Sequence, residues 1–237
     1  MHTPHLSSKP AIGFRRLGLF RFSMPEFLAS LALLLVAAPF VEELAIGEAI
    51  ESFLMTLVLV SGVMAVGKNR RILLFAGLLA VPAALTKWLS HAAPTGLAMQ
   101  FHIAMALLFI LFILSQLIRF ILRSPRVNSD VLCAGLSMYL LIGMTWALAY
   151  RLAEIMAPGS FIFSGTPAAQ NHMTGFTTFY FSFITLTTVG YGDIAPATNI
   201  TRMLASAEAI TGTLFVAVFI ARLVALYSTT PQPETRE

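Results

Sequence analysis

A short run of residues, 187–193, has the composition of a backbone site for a cation. The run reads Thr-Thr-Val-Gly-Tyr-Gly-Asp and lies between two apolar stretches. Gly190 and Gly192 have no Cβ atom, so the backbone can adopt positive φ there and turn successive carbonyl oxygens toward one side. Four such strands around one axis would form stacked rings of carbonyl dipoles, and such rings can replace the water shell of a dehydrated monovalent cation.

The motif is specific. At average residue usage, the run from Thr188 to Asp193 should occur by chance in about one of 10⁵ chains of this length. A tight turn between two helices needs one or two glycines, but it does not need this apolar frame. The run resembles the selectivity filter of potassium channels, and the resemblance extends over about residues 130–227. It implies that the ion-binding filter consists of residues 188–192, up to Gly192, and that K⁺ is held at Thr188, Val189, Gly190 and Tyr191.

The segments beside the filter resemble the other parts of a potassium-channel pore. Residues 176–187 resemble the pore helix, because about a dozen helical residues cover only ~18 Å and cannot cross a membrane. Residues 200–227 resemble the inner helix that follows the filter. One chain supplies one filter strand, whereas the channels it resembles use four strands, so the resemblance implies a homotetramer.

The resemblance also assigns supporting roles around the filter. It implies that Gly192 shapes the outer mouth and that Asp193 anchors this mouth or gathers cations. Thr187 and Tyr180 would be further supports. Two departures change the expected contacts. Ile184 stands where some potassium channels carry an acid, and Tyr180 is one of two residues that replace a common pair of tryptophans, so Tyr180 is a candidate partner of Asp193.

The composition places the chain in a membrane. Of its residues, 57% are hydrophobic and 11% are charged, whereas soluble domains carry about 25% charged residues. The basic residues lie at the ends of apolar runs, which is typical of orientation signals and argues against nucleic acid as a partner. Cys133 is the single cysteine, so the chain has no intrachain disulfide. We expect no cofactor, with K⁺ as the permeant ion.

These features predict an all-α membrane protein with six transmembrane helices, a re-entrant pore helix and a selectivity-filter loop, assembled into a tetrameric potassium-channel pore. A spanning helix needs about 20 apolar residues. The predicted spans are residues 27–41, 49–67, 72–90, 97–118, 131–152 and 200–227. The first run also resembles a secretory signal, but Pro39 would directly follow the cleavage point, so we favour an uncleaved helix.

The charge pattern divides the chain and orients it. The parts are a basic N-terminal segment (1–23), a four-helix transmembrane domain (24–127), a pore domain (128–228) and a short tail (229–237). Basic residues also cluster at 68–71 and 119–126, and the inside bias of Lys and Arg places these clusters in the cytoplasm. We therefore expect a multi-pass protein of the plasma or inner membrane, in contact with lipids, with both termini cytoplasmic.

Polar residues inside the predicted spans are candidates for function. Glu208 lies one turn before Gly212 in the inner helix. Its carboxyl group could lie behind the filter against a hydroxyl or an arginine, or add negative charge near the cavity. Gly212 could be a hinge or a site of close helix packing. We interpret His102 as a hydrogen-bonded membrane residue and not as a proton sensor. We interpret Arg222 as a charged side chain that extends to the inner membrane surface.

Residues 153–171 are predicted to form an external loop, because they contain several prolines and glycines. Arg151 and Glu154 stand where this loop begins. They are three residues apart, which predicts a local ion pair.

Three alternative functions stay open at this point. The chain could be a poorly selective channel for monovalent cations, or a non-conducting subunit of another channel. It could also be a membrane enzyme or carrier that uses Glu208, His102 and Arg222. Tyr191 in the filter favours K⁺ selectivity.

The fourth span predicts weak or absent voltage dependence. A voltage sensor moves about 3–4 charges per subunit through the membrane field, but residues 97–118 carry no fixed charge. The nearby arginines, at 119, 123 and 126, lie at the cytoplasmic end of the span. In a planar bilayer, we expect the conductance to change little with voltage. A conductance that rises by orders of magnitude on depolarisation would contradict this prediction.

Overall fold

The structure, a computed structural model, describes residues 24–42, 44, 46–66, 70–92, 96–164 and 172–228. Within these ranges the chain forms seven α-helices and two short β-strands. In chain order they are α1 (Met24–Glu42), α2 (Gly47–Val66), α3 (Arg70–Ala92), α4 (Gly96–Arg123), α5 (Ser129–Met156), β1 (Phe161–Phe163), α6 (Gly175–Leu186), β2 (Ile194–Pro196) and α7 (Asn199–Ser228). The predicted N-terminal segment, 1–23, and the predicted tail, 229–237, lie outside the described residues.

Four helices in the described part of the chain are long and apolar enough to cross a membrane. Their qualifying stretches are Met24–Val41, Met99–Arg123, Ser129–Met156 and Asn199–Ala225. Two shorter apolar stretches, Ala49–Ala65 in α2 and Gly175–Leu186 in α6, accompany them. The chain is therefore mostly helical and has the elements of a multi-pass membrane protein. The count of six spans stays a prediction.

Helix α5 is the centre of the packing, because α1, α4, α6 and α7 all contact it. Helix α1 also packs on α2, and α3 packs on α4. The facing sides carry apolar residues at every third or fourth position, as expected for a buried helix face. Examples of such buried side chains are Phe27, Leu31 and Leu34 in α1 and Phe109, Ile113 and Leu117 in α4. The four-helix part, α1 to α4, and the pore elements share one apolar core.

The start of α5 is fixed by a side-chain cap. The Asn128 side chain accepts a hydrogen bond from the Val131 amide at 3.0 Å, which satisfies one of the unpaired N–H groups of the first turn. Asparagine is among the residues preferred at this position.

The end of α5 differs from the prediction. The Glu154 carboxylate accepts hydrogen bonds from the amides of Gly159 at 2.9 Å and Ser160 at 3.0 Å. Arg151 instead donates to the carbonyl oxygen of Met173 at 2.7 Å. Because each side chain satisfies backbone groups, the predicted ion pair between Arg151 and Glu154 is not formed.

The structure contains a small antiparallel sheet that the all-α prediction omits. Strand β1 lies in the segment predicted as a loop, and it pairs with β2 so that Ile162 is opposite Ala195. Two hydrogen bonds flank the sheet: the Ser164 amide donates to Asp193 O at 2.7 Å and the Ala197 amide donates to Ser160 O at 2.8 Å. The correction has a simple cause, since strands of three residues give too little alternation to be read from sequence.

Gly212 lies at a close approach between α7 and the end of α6. A Cβ atom at this position would lie 2.1 Å from the carbonyl oxygen of Leu186. Helix α7 continues from Asn199 to Ser228 through this position. The absence of a side chain therefore lets α7 contact the end of α6 directly. The hinge role of Gly212 stays a prediction.

We expect Gly212→Ala to lower the free energy of unfolding by about 1–3 kcal/mol, because the added methyl group must push two backbones apart. Gly77→Ala in α3 is the matched control, since a Cβ atom there meets nothing within 4 Å. This control should be neutral or stabilising by up to about 1 kcal/mol, the helix preference of alanine over glycine. Thermal unfolding of both variants in detergent measures the difference. Equal melting temperatures would contradict the close approach at Gly212.

Candidate ion-conduction site

The last turn of α6 holds the start of the filter through its carbonyl groups. The Thr187 amide donates to Phe183 O at 3.1 Å and the Thr188 amide donates to Thr185 O at 2.9 Å. These bonds continue the hydrogen-bond pattern of the helix for one more turn, so the chain leaves α6 in a fixed direction.

The carbonyl of Ile184 takes two further filter amides. Val189 N lies 2.8 Å and Gly190 N lies 3.1 Å from this oxygen. The N–H groups of the filter strand are therefore directed back toward the pore helix. A strand whose amides are used in this way can present its carbonyls elsewhere.

The backbone angles of the filter agree with the prediction of positive φ at its two glycines. Gly190 has φ of 52° and Gly192 has φ of 81°. Thr188 also has positive φ, 60°, and it is the single non-glycine residue with this property in the described part of the chain. This conformation is unusual for a β-branched residue, and strained residues of this kind cluster at ligand sites. The residue type at position 188 does not predict this positive φ.

The carbonyl oxygens of Thr188, Val189, Gly190 and Tyr191 accept no hydrogen bond from the residues that the structure describes. The side chains of Val189 and Tyr191 are 53% and 72% exposed in the single chain. Free carbonyls on an exposed apolar strand are unfavourable in isolation, because an unpaired polar group inside a membrane costs several kcal/mol. At membrane depth, a strand of this kind is tolerated only where it is buried in protein or lines a cavity.

The outer end of the filter is held by Tyr180 and Asp193. The Tyr180 hydroxyl donates to Asp193 Oδ2 at 2.7 Å, so the structure brings together the two residues that the sequence suggests as partners. Asp193 Oδ1 has no hydrogen-bond partner within the described ranges. The sheet continues this support, since the backbone oxygen of Asp193 accepts from Ser164.

Two further residues, Ser160 and Glu154, support this outer end, and the sequence does not predict this role for either of them. Ser160 offers its carbonyl oxygen to the Thr201 hydroxyl at 3.1 Å, which ties β1 to the first turn of α7. Glu154 fixes the turn before β1 through the two amide bonds already described. An acid five residues before a glycine in a turn is a weak signal, and nothing local in the sequence pairs β1 with β2.

Glu208 lies behind the pore helix and is fully buried. Its two carboxyl oxygens contact the hydroxyl groups of Tyr150 in α5 and Ser182 in α6. Of the open possibilities, the structure therefore shows the hydroxyl environment and not an arginine. Neither Tyr150 nor Ser182 was singled out from the sequence.

His102 and Arg222 take other partners. His102 Nδ1 lies 3.2 Å from Ala83 O and 3.3 Å from the Thr86 hydroxyl, both in α3. Arg222 Nη2 donates to Leu122 O, near the end of α4, at 3.1 Å. The three residues of the enzyme or carrier alternative thus bond to separate elements. Within the described residues, no group of three or more His, Cys, Asp or Glu side chains could hold a metal ion.

The chain is similar to several known proteins. A family model described as "Ion channel" matches residues 131–229. Two pore potassium channel b of Oryza sativa subsp. japonica is 36% identical over an alignment of 83 residues that covers 31% of this chain and 24% of that protein. Two-pore potassium channel 4 of Arabidopsis thaliana is 46% identical over 46 residues, 19% of this chain and 16% of that protein. The chain thus matches a quarter or less of the length of these plant relatives.

A bacterial relative is matched over more of its length. Protein LctB of Bacillus caldotenax is 30% identical over 100 residues, which are 42% of this chain and 74% of that protein. No solved structure matches the chain. Apolar helices, a short pore helix and the matched pore region define a multi-pass membrane protein with an ion-channel domain. The chain belongs to the potassium channel family.

We expect Tyr180→Phe to destabilise the outer end of the filter, because the Asp193 carboxylate loses its side-chain hydrogen bond. A hydrogen bond to a charged group contributes about 1.5–3 kcal/mol. The expected result is a Rb⁺ flux that declines faster than that of the unmodified chain when external K⁺ is low. Tyr139→Phe is the matched control, since the Tyr139 hydroxyl has no hydrogen-bond partner among the described residues. An identical time course for both variants would show that the Tyr180 contact does not stabilise the filter.

Proposed function

We propose that this protein is a potassium-selective channel through which K⁺ passes passively across the membrane. Four copies of the chain surround one axis, and rings of backbone carbonyls from Thr188, Val189, Gly190 and Tyr191 replace the water around the ion. The observation that carries the proposal is the set of four unpaired carbonyls beside amides that are bonded back to Ile184. The names of the plant relatives, both potassium channels, support the choice of ion.

Conduction follows from the backbone geometry. A dehydrated K⁺ ion loses its hydration energy and regains it from carbonyl dipoles, so entry has no large barrier. A second ion in an adjacent ring repels the first, which prevents the ion from being held too tightly. The Thr188 hydroxyl forms the innermost ring, Gly192 shapes the outer mouth, and Thr187 supports the start of the filter.

The exposed surface of α7 supports a homotetramer. Large apolar side chains of this helix are exposed in the single chain, among them Ile210, Leu214, Val218 and Val224. A surface of this kind is stable against lipid or against another copy of the chain. Because one chain supplies a single filter strand, a closed ring needs further copies, and four is the number used by the channels it resembles.

The chain crosses the plasma or inner membrane six times, both termini are cytoplasmic, and α6 enters the membrane without crossing it. Weak or absent voltage dependence follows from the lack of fixed charges in residues 97–118.

The test is Rb⁺ uptake into liposomes that contain the purified chain, compared with a Gly190→Ala variant. We expect uptake by the unmodified chain and a loss of at least about tenfold in the variant, because alanine at φ of 52° is strained by roughly 1–2 kcal/mol and its carbonyl turns away. Gly77→Ala is the control for general damage. Normal uptake by Gly190→Ala would refute the carbonyl filter.

Two further outcomes separate the alternatives. A reversal potential that follows the K⁺ gradient and not the Na⁺ gradient identifies a selective channel, whereas an intermediate value identifies a poorly selective one. No uptake by the purified chain, with tetramers present, identifies a non-conducting subunit.

A further inference from the structure

A buried polar chain connects the three helices that surround the filter. Glu208 of α7, Tyr150 of α5 and Ser182 of α6 are all fully buried. The Tyr150 hydroxyl donates to Glu208 Oε2. Ser182 Oγ lies 2.5 Å from Glu208 Oε1 and 2.7 Å from Gly143 O in α5. Two proton positions follow from these contacts: that of the Ser182 hydroxyl proton, and whether the Glu208 carboxyl group carries a proton.

The proton count decides between a charged and a neutral Glu208. A backbone carbonyl can only accept, so the contact between Ser182 and Gly143 needs the single proton of the serine hydroxyl. Ser182 then has no proton to give to Glu208, and the short contact to Oε1 needs a proton on the carboxyl group. With a neutral acid, every group is satisfied: Tyr150 donates to Glu208, Glu208 donates to Ser182, and Ser182 donates to Gly143.

A charged Glu208 fits the site less well. The serine proton would turn to the carboxylate, and the Ser182 and Gly143 oxygens would then face each other at 2.7 Å with no proton between them. No Lys, Arg or His side chain of the described part forms an ion pair with Glu208. An unpaired charge at a fully buried position is costly.

We propose that Glu208 is held as a neutral carboxylic acid and acts as a positioning residue that joins the inner helix to the pore helix. The proposal rests on the proposed channel function. Helices α5 and α6 pack closely near Glu208, since a Cβ atom on Gly143 of α5 would lie 2.7 Å from the Phe183 ring of α6. This close approach brings the Gly143 carbonyl within reach of Ser182.

The link to the filter is short. Ser182 is followed directly by Phe183 and Ile184, whose carbonyls accept the amides of the filter strand. A shift of α6 therefore moves the filter. Ile184 also stands where some potassium channels carry an acid in the pore helix. In this chain the acid behind the pore helix comes from α7, so the filter and the inner helix share one hydrogen-bonded support.

Three variants of the full-length chain test the proposal in liposomes. Glu208→Gln keeps a donor toward Ser182 and an acceptor toward Tyr150, so it copies the neutral acid and should keep the Rb⁺ flux and the K⁺-over-Na⁺ reversal potential of the unmodified chain. Glu208→Ala and Ser182→Ala break the chain of hydrogen bonds. Each should lower the K⁺-to-Na⁺ permeability ratio by about tenfold, the scale of one lost buried hydrogen bond.

The controls separate positioning from folding. Thr145→Val removes a hydroxyl of α5 whose hydrogen bond, to Leu141 O, stays within its own helix, and it should leave selectivity unchanged. Gel filtration reports assembly of each variant. If Glu208→Ala does not assemble, the permeability ratio of Ser182→Ala still tests whether the hydrogen-bond network positions the filter. An infrared difference spectrum between the unmodified chain and Glu208→Gln should contain a carboxylic-acid carbonyl band.

Distinct results would overturn the proposal. If Glu208→Gln loses selectivity as fully as Glu208→Ala, the carboxylate charge is required and the neutral acid is wrong. If Glu208→Ala and Ser182→Ala both assemble and keep full selectivity, the network does not position the filter. Failure of the channel proposal differs from both, because the unmodified chain would then carry no Rb⁺.

Discussion

A backbone carbonyl inside a membrane has no water to bond with, so a strand with several free carbonyls is unstable unless its surroundings hold it and its ligand completes it. The rest of the described structure can be understood as the means of holding such a strand. Ile184 O takes the amides of Val189 and Gly190, which leaves the carbonyls of the strand free. Tyr180 and the two-stranded sheet fix the outer end, and the bare backbone at Gly212 lets α7 contact the end of α6.

Much of this site can be predicted from sequence, because its essential features are local. A glycine permits positive φ wherever it stands, so the residue types at 190 and 192 allow the positive φ that the structure has there. The cap at Asn128 and the shortness of α6 are equally local, since each depends on residues within one or two turns. The contact of Tyr180 with Asp193 spans 13 positions, and it was suggested by a departure from the pattern of related pores.

The features that sequence did not predict depend on distant contacts. Glu208 is separated by 58 positions from Tyr150 and by 26 from Ser182, and no periodicity selects these two hydroxyls among the many in the chain. Glu154 and Arg151 have the spacing of an ion pair. Each side chain instead forms hydrogen bonds to backbone groups that would otherwise have no partner. Positive φ at Thr188 contradicts the preference of its own side chain, so only the surrounding contacts can impose it.

Helix α7 is bonded to the four-helix part of the chain at its inner end as well as to the pore helix near its middle. Arg222 donates to a carbonyl near the end of α4, where the backbone has no partner within its own helix. In the proposed channel, widening the pore at this end of α7 would either break this bond or carry the end of α4 along. Helices α1 to α4 would then add to the mechanical work of opening, and the stiffness of this end of the proposed pore would depend on how firmly the surrounding bilayer holds them.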